Sequence, residues 1–156
     1  MNITVIGRGR VGGGLARLWA RAGHEVRTLG RDGGDASDTV VVVVAVPDHL
    51  IGTALHGVTG LNGQVTIDVS NLHSERDTAF PSLAHQVKSV VGGPTAKAFN
   101  TVFASAYDQI GEQRVTPSNR YAAEPDAEDV TARQLRSYPR AGRPDRPVLL
   151  PLRAAR

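Results

Sequence analysis

Seven consecutive apolar residues, VVVVVAV at 40–46, run up to Pro47. A strand sends alternate side chains to opposite faces, so a run with no polar position must be covered on both. Parallel sheets with helices on each face meet that demand. The run is far shorter than the roughly 20 residues needed to span a bilayer, so it reads as a buried central strand. The rest of the chain alternates to match. NITVI at 2–6, EVRTL at 25–29, QVTIDVSN at 64–71, TAKAFN at 95–100 and NRYAAE at 119–124 read as further strands.

Helical spacing separates these strands. Val11, Leu15, Leu18, Trp19 and Ala22 recur at helical intervals until Gly23. Asp48 is the expected N-cap of a helix carrying Ile51, Leu55 and Val58 on one face. Pro81 is expected to open a helix with Leu83 and Val87, a weak helix is expected over 101–110, and Pro125 falls in the first turn of another. The expected fold is α/β: a Rossmann-like, doubly wound, mostly parallel sheet.

One connection is short. Nine residues, GRDGGDASD at 30–38, stand where a full Rossmann half places a helix and a third strand. A linker that crosses two strand spacings and runs back along a strand needs about 20 Å, and nine extended residues reach roughly 30 Å. The sequence therefore predicts a sheet shortened by one β-α unit after the second strand, with no helix in 30–38.

Between the first strand and the first helix, Gly7, Gly9 and Gly12 fall at the G-x-G-x-x-G spacing. Unpaired N–H groups and the positive end of the helix dipole favour a pyrophosphate at such a turn, provided no side chain keeps it away. In that pattern the glycines serve, in order, the tight turn, the approach of phosphate and the packing of helix on strand. Strand before, amphipathic helix after and a second strand at the proper distance give the motif its context. Gly13 and Gly14 have no role in the fingerprint, and close packing against a neighbouring strand or ligand is the expected reason for them.

The end of the second strand selects the nucleotide. NAD sites place an acid there for the ribose 2′-OH, whereas this strand ends Leu29-Gly30-Arg31. Arg31 offers a planar fork suited to a 2′-phosphate, so NADP is the expected cofactor; Asp32, one step on, can turn out into the loop. Arg8 and Arg10 have two readings, as phosphate contacts and as solvated turn residues. The expected cofactor-binding set is Gly7, Arg8, Gly9, Arg10, Val11, Gly12, Gly30, Arg31, Val46, Pro47 and Asn71. Lys97, Phe99, Asn100 and Thr101, at another strand end on the same crevice, are candidates for the substrate pocket.

Other chemistries find little support. There is no cysteine, which removes disulfides, thiolate metal sites and cysteine nucleophiles and fits a cytoplasmic protein. The N-terminus runs from Met1 straight into an apolar strand with no basic region and no small-residue cleavage site, so a signal peptide is not expected. Five scattered histidines show no metal-ligand spacing, and His49 and His73 read as loop residues. No nucleophile-base pair appears, so no catalytic residue is assigned; hydride transfer needs none, because the cofactor carries the chemistry. The formal charge of +3 is misleading as a sign of nucleic-acid binding, because residues 131–156 hold seven Arg against one Asp. The remainder holds 11 Lys and Arg against 14 Asp and Glu, and no basic stripe with interleaved aromatics occurs.

The segments VIGRGRVGGGLA, AGHEV, GRD, AVP, IDVSN and especially AKAFNTVFAS resemble the NADPH-dependent reductases of the deazaflavin coenzyme F-420. The likeness continues through PSNRYAAEPDAEDVT, to about residue 135. It implies reversible hydride transfer between NADP and a deazaflavin, the two rings stacked in the cleft of a homodimer. Members of that family place Ser or Thr beside the arginine that holds the 2′-phosphate, and Gly30 stands there in this chain. The ending departs further. A Rossmann-like domain is expected over 1–137, followed at 138–156 by an irregular Arg- and Pro-rich tail. A reading-frame shift or a basic flexible tail would each account for it. Three functions follow: a deazaflavin reductase, a non-catalytic NADP-binding module whose substrate pocket is lost, and reduction of a small imine or ketone, for which no acid-base pair is present.

Overall fold

The first strand, β1 (Asn2–Ile6), leads through Gly7-Arg8-Gly9 into helix α1 (Arg10–Arg21) and returns as β2 (Glu25–Leu29), paired parallel to β1. This is a computed structural model that describes residues 1–73, 79–111 and 120–136. After β2 the chain forms a two-residue strand β3 (Gly34–Asp35) and the central strand β4 (Val41–Val44). A 3-10 turn (Asp48–Leu50) leads into α2 (Ile51–His56), followed by the short β5 (Val58–Thr59) and by β6 (Val65–Asp68). Next come α3 (Leu83–Val91) and β7 (Thr95–Lys97). A second 3-10 turn (Ala104–Ala106), α4 (Tyr107–Gly111), β8 (Ala122–Ala123) and α5 (Pro125–Arg136) complete the described chain.

The main sheet runs in the order β2-β1-β4-β6-β7-β8, parallel except for β8 at the edge. The α/β class and the mostly parallel sheet are those expected. Alternation along the strands divides the core. Ile3, Val5, Val41, Val43 and Ile67 pack with Leu15, Trp19 and Tyr107, on the side of α1 and α4. Ile6, Val42 and Val44 pack on the opposite side with Ile51 and Leu55 of α2 and Val87 and Val91 of α3. All four residues of β4 are fully buried, which is why the apolar run tolerates no polar side chain.

The linker between β2 and β4 contains no helix, as the residue count required, and β4 lies on the far side of β1 from β2. It is nonetheless ordered. β3 pairs with β5, Ala36 N–H donates to the Thr59 carbonyl at 2.9 Å, and Arg27 Nη1 donates to the Asp35 carbonyl at 2.9 Å. Gln64 Nε2 donates to the carbonyls of Gly60 (2.7 Å) and Ala36 (3.2 Å). Ala36 is fully buried beside Leu29 and Val58, so a docked loop covers part of the core in place of a helix.

Several element boundaries differ from expectation. Pro47, not Asp48, caps the 3-10 turn, because the Asp48 carboxylate is engaged elsewhere. Val58 belongs to β5 rather than α2: the helix stops at Gly57, whose carbonyl accepts from Gly34 N–H. Ser82, not Pro81, begins α3, its hydroxyl accepting from His85 N–H. The strands anticipated over 64–71, 95–100 and 119–124 shorten to β6, β7 and β8, as the chain turns away into loops at their ends. No described helix is long and apolar enough to cross a membrane. The Arg- and Pro-rich tail at 138–156 lies outside the described residues.

Candidate functional site

Four parallel strands, β1, β4, β6 and β7, end on one edge of the sheet. The chain goes from β1 outwards to β2 and then returns past β1 to β4, so the switch in direction lies between β1 and β4, where open α/β sheets form their ligand crevice.

The glycine turn occupies that point. Gly7 has φ +114, and a Cβ there would lie 2.3 Å from the Ala45 carbonyl oxygen. A Cβ on Gly12 would lie 2.1 Å from the Gly7 carbonyl oxygen and 3.1 Å from the Ala45 side chain. These two glycines bring α1 down onto β1 and the end of β4. Gly9 differs: a Cβ there would meet nothing within 4 Å. It is the N-cap of α1, no side chain caps the helix, and the first turn contains no acid. No side chain therefore caps the backbone N–H groups of the first turn, and the space beside Gly9 is open, a geometry suited to a phosphate. Gly14, fully enclosed, explains part of the remaining glycine run, since a Cβ there would sit 2.4 Å from the Tyr107 ring. The packing partner is a helix rather than a strand or ligand. Gly13 has only ordinary contacts, the nearest being the Arg8 carbonyl oxygen at 3.5 Å.

At the end of β2, Gly33 N–H donates to the Gly30 carbonyl at 3.2 Å, closing a tight turn with Arg31 and Asp32 exposed at its tip. The ion pairs among the described residues do not include Arg8, Arg10 or Arg31. Beyond β4, Val46 is half-buried and Pro47 exposed, and Val46 Cγ1 lies 3.2 Å from the Cβ position of Gly7.

The ends of β6 and β7 are tied together by polar contacts. Asp68 and Lys97 are register partners, and Lys97 Nζ donates to Asp68 Oδ2 at 2.8 Å. The same ammonium donates to the Ser70 carbonyl, while Ser70 N–H (2.9 Å) and its hydroxyl donate to Asp68 Oδ1. Asp68 is 0 % exposed, so its charge is matched in place by these donors. Two of the three N–H donors of Lys97 are thus committed to the Asp68 carboxylate and the Ser70 carbonyl. Asn71 Nδ2 donates to the Asn100 carbonyl at 3.2 Å, and Asn100 Nδ2 donates to Asn71 Oδ1 at 3.3 Å. The structure thus brings Asn71 and Asn100 together at the crevice edge, and Thr101 is exposed beside them.

Phe99 is corrected by its burial. At 1 % exposure it lies in the core, its ring edge-on to Trp19 with centroids 5.5 Å apart. Its φ of 60 is the positive value among the described non-glycine residues. That backbone turn sends the ring inwards rather than to the crevice.

The Asp48 carboxylate accepts from His49 N–H (3.0 Å) and His73 N–H (2.7 Å), joining the loops after β4 and β6. His49 and His73 are exposed, and among the described residues no three His, Asp or Glu side chains gather to hold a metal. Sequence reasoning missed the Asp68–Lys97 pair, although pairing IDVS with AKAF as adjacent parallel strands would have aligned the two residues.

No family model matches the chain, and no curated protein does. Solved structures with a similar fold include a protein assigned as an F-420-dependent NADP reductase from Arthrobacter sp. FB24, with 23% identity and a TM-score of 0.68 over 86% of this chain and 79% of that one. The hypothetical protein SMa0349 from Sinorhizobium meliloti shares 23% identity at a TM-score of 0.71, over 97% of this chain and 85% of that one. An imine reductase from Streptomyces aurantiacus shares 18% identity at a TM-score of 0.64, over 88% of this chain and 53% of that one. At these identities the likeness is one of fold, the α/β Rossmann-like fold with its mostly parallel sheet.

Proposed function

We propose that the chain binds NADP at the Gly7–Gly12 turn and transfers a hydride between it and a deazaflavin of the coenzyme F-420 type or a related planar acceptor. The observation that carries this reading is the uncapped start of α1, open in front of Gly9, together with an exposed Arg31 at the end of β2. The first-turn N–H groups would hold the pyrophosphate and Arg31 the 2′-phosphate. When bound, the nicotinamide supplies or accepts the hydride. Val46, Pro47 and the Asn71–Asn100 pair would border its ring, fixing orientation by contact and by amide hydrogen bonds.

The acceptor rests on the resemblance in AKAFNTVFAS and on one structural feature. Leu50, Leu72 and Phe103, the last 84 % exposed, lie on the loops after β4, β6 and β7. Exposed apolar side chains at these strand ends suit a flat aromatic ring. The resemblance also carries a homodimer into the proposal. A second reading, an NADP-binding module without turnover, is favoured by Phe99 and Lys97, which serve the core and Asp68 rather than a pocket.

The two readings separate in an acceptor screen that follows loss of NADPH absorbance. The first expects oxidation of NADPH when oxidised deazaflavin is added. Tight NADPH binding without turnover on any deazaflavin would leave the second.

A further inference from the structure

The Arg8 side chain crosses from the glycine turn to the end of β2. Its Nε donates to the Thr28 carbonyl at 3.3 Å. A Cβ on Gly30 would lie 3.3 Å from its Nε, Cζ and Nη1, closer than ordinary van der Waals contact. The guanidinium therefore lies against the space that a side chain at position 30 would fill. Gly30 is not among the glycines with positive φ, so its backbone conformation does not demand glycine. A side chain there would instead press on the neighbouring guanidinium, which would have to shift by a few tenths of an ångström to admit it. Arg31 stands next in the chain, at the exposed tip of the turn.

We infer that Arg8, admitted by Gly30, is a second ligand of the ribose 2′-phosphate, and that the Arg8–Gly30 pair determines the preference for the phosphorylated dinucleotide. The inference rests on the dinucleotide reading above. Two guanidinium groups reach the end of β2 from different elements, and neither forms an ion pair with a described residue. Thr28 takes one of the five N–H donors of Arg8 and fixes the direction of the fork, leaving the others for a ligand. A ribose phosphomonoester carries about −1.5 to −2 charge near neutral pH, which two arginines balance and one does not. Where the resembling family has a hydroxyl beside its arginine, this chain has an open position filled by a guanidinium from the glycine turn.

The test is a double-mutant cycle on the full chain, with Arg8→Gln, Gly30→Val and the double variant titrated with NADPH and NADH. Arg8→Gln is expected to weaken NADPH about tenfold and NADH less than about twofold, the loss of one charge-assisted contact. Gly30→Val should reproduce that selective loss, and the double variant should add little to either. As a second readout, 2′,5′-ADP should compete with NADPH much better than 5′-AMP on the wild type, and Arg8→Gln should narrow the difference. Equal losses for NADPH and NADH, or additive effects in the double variant, would overturn the inference while leaving dinucleotide binding intact. Failure of the wild type to bind either nucleotide would overturn the dinucleotide reading itself. Arg8 is exposed, so its variant tests the inference even if Gly30→Val folds poorly.

Discussion

At Gly14 a methyl group would sit 2.4 Å from the Tyr107 ring, whereas at Gly13 the nearest atom is 3.5 Å away. Both residues belong to α1, so helix propensity favours alanine equally at each. Packing reverses the sign at one of them. Gly14→Ala should destabilise the protein by about 1–3 kcal/mol through overpacking. Gly13→Ala should stabilise it by up to about 1 kcal/mol. Chemical denaturation of the two variants checks this, and similar shifts for both would contradict it. The same ring carries a second signature. Burial pushes the Tyr107 hydroxyl up to about 12, and the oxygen has no hydrogen-bond partner among the described residues. Tyr107→Phe keeps the ring against Gly14 and removes an unsatisfied buried group, so stability should be unchanged or rise by up to about 2 kcal/mol. The spacing of Gly7, Gly9 and Gly12 was legible in the sequence because it belongs to one recurrent strand-turn-helix pattern. The role of Gly14 was not, since it depends on a side chain more than ninety positions away.

Between elements, α3 is held to the start of α5 by one carboxylate. Lys88 Nζ donates to Glu124 Oε2 at 2.6 Å, and Thr95 N–H donates to the same oxygen at 2.8 Å. Burial works to raise the Glu124 pKa, but the Lys88 ammonium and the Thr95 amide outweigh it and hold the value below the ordinary 4.5. A depressed carboxylate stabilises the folded state fully above its unfolded value, and that contribution is lost as pH falls through the folded one. Glu124→Gln should therefore lower stability by about 1 kcal/mol near neutral pH, discounted for partial exposure, and the difference from wild type should shrink as pH falls below the ordinary carboxylate range. A pH-independent difference would contradict the assignment. Periodicity revealed the existence of α1, α2, α3 and α5, yet several of their ends were misplaced. Those ends are set by tertiary contacts: Asp48 binds the His73 amide instead of capping its own helix, and the Gly57 carbonyl receives a bond from the linker. Neither contact leaves a mark in local sequence.

For the whole molecule, a run of valines was enough to predict a buried central strand and a nine-residue linker a missing β-α unit. Both follow from chain geometry and burial, which is why they were legible. What covers the gap was not: the linker itself docks, with Ala36 in the core and Asp35 bonded to Ser37 and Thr59. The crevice was legible as a set of strand ends, but not which side chains turn into it, since Phe99 and Lys97 are drawn away by Trp19 and Asp68. The central claim is that these strand ends hold a dinucleotide and that Arg31 binds its 2′-phosphate. Titration of the wild type and Arg31→Ala with NADPH and NADH tests it most directly. The wild type should prefer NADPH, and Arg31→Ala should weaken NADPH about tenfold or more with little change for NADH. Equal losses for the two nucleotides, or a wild type that prefers NADH, would contradict it.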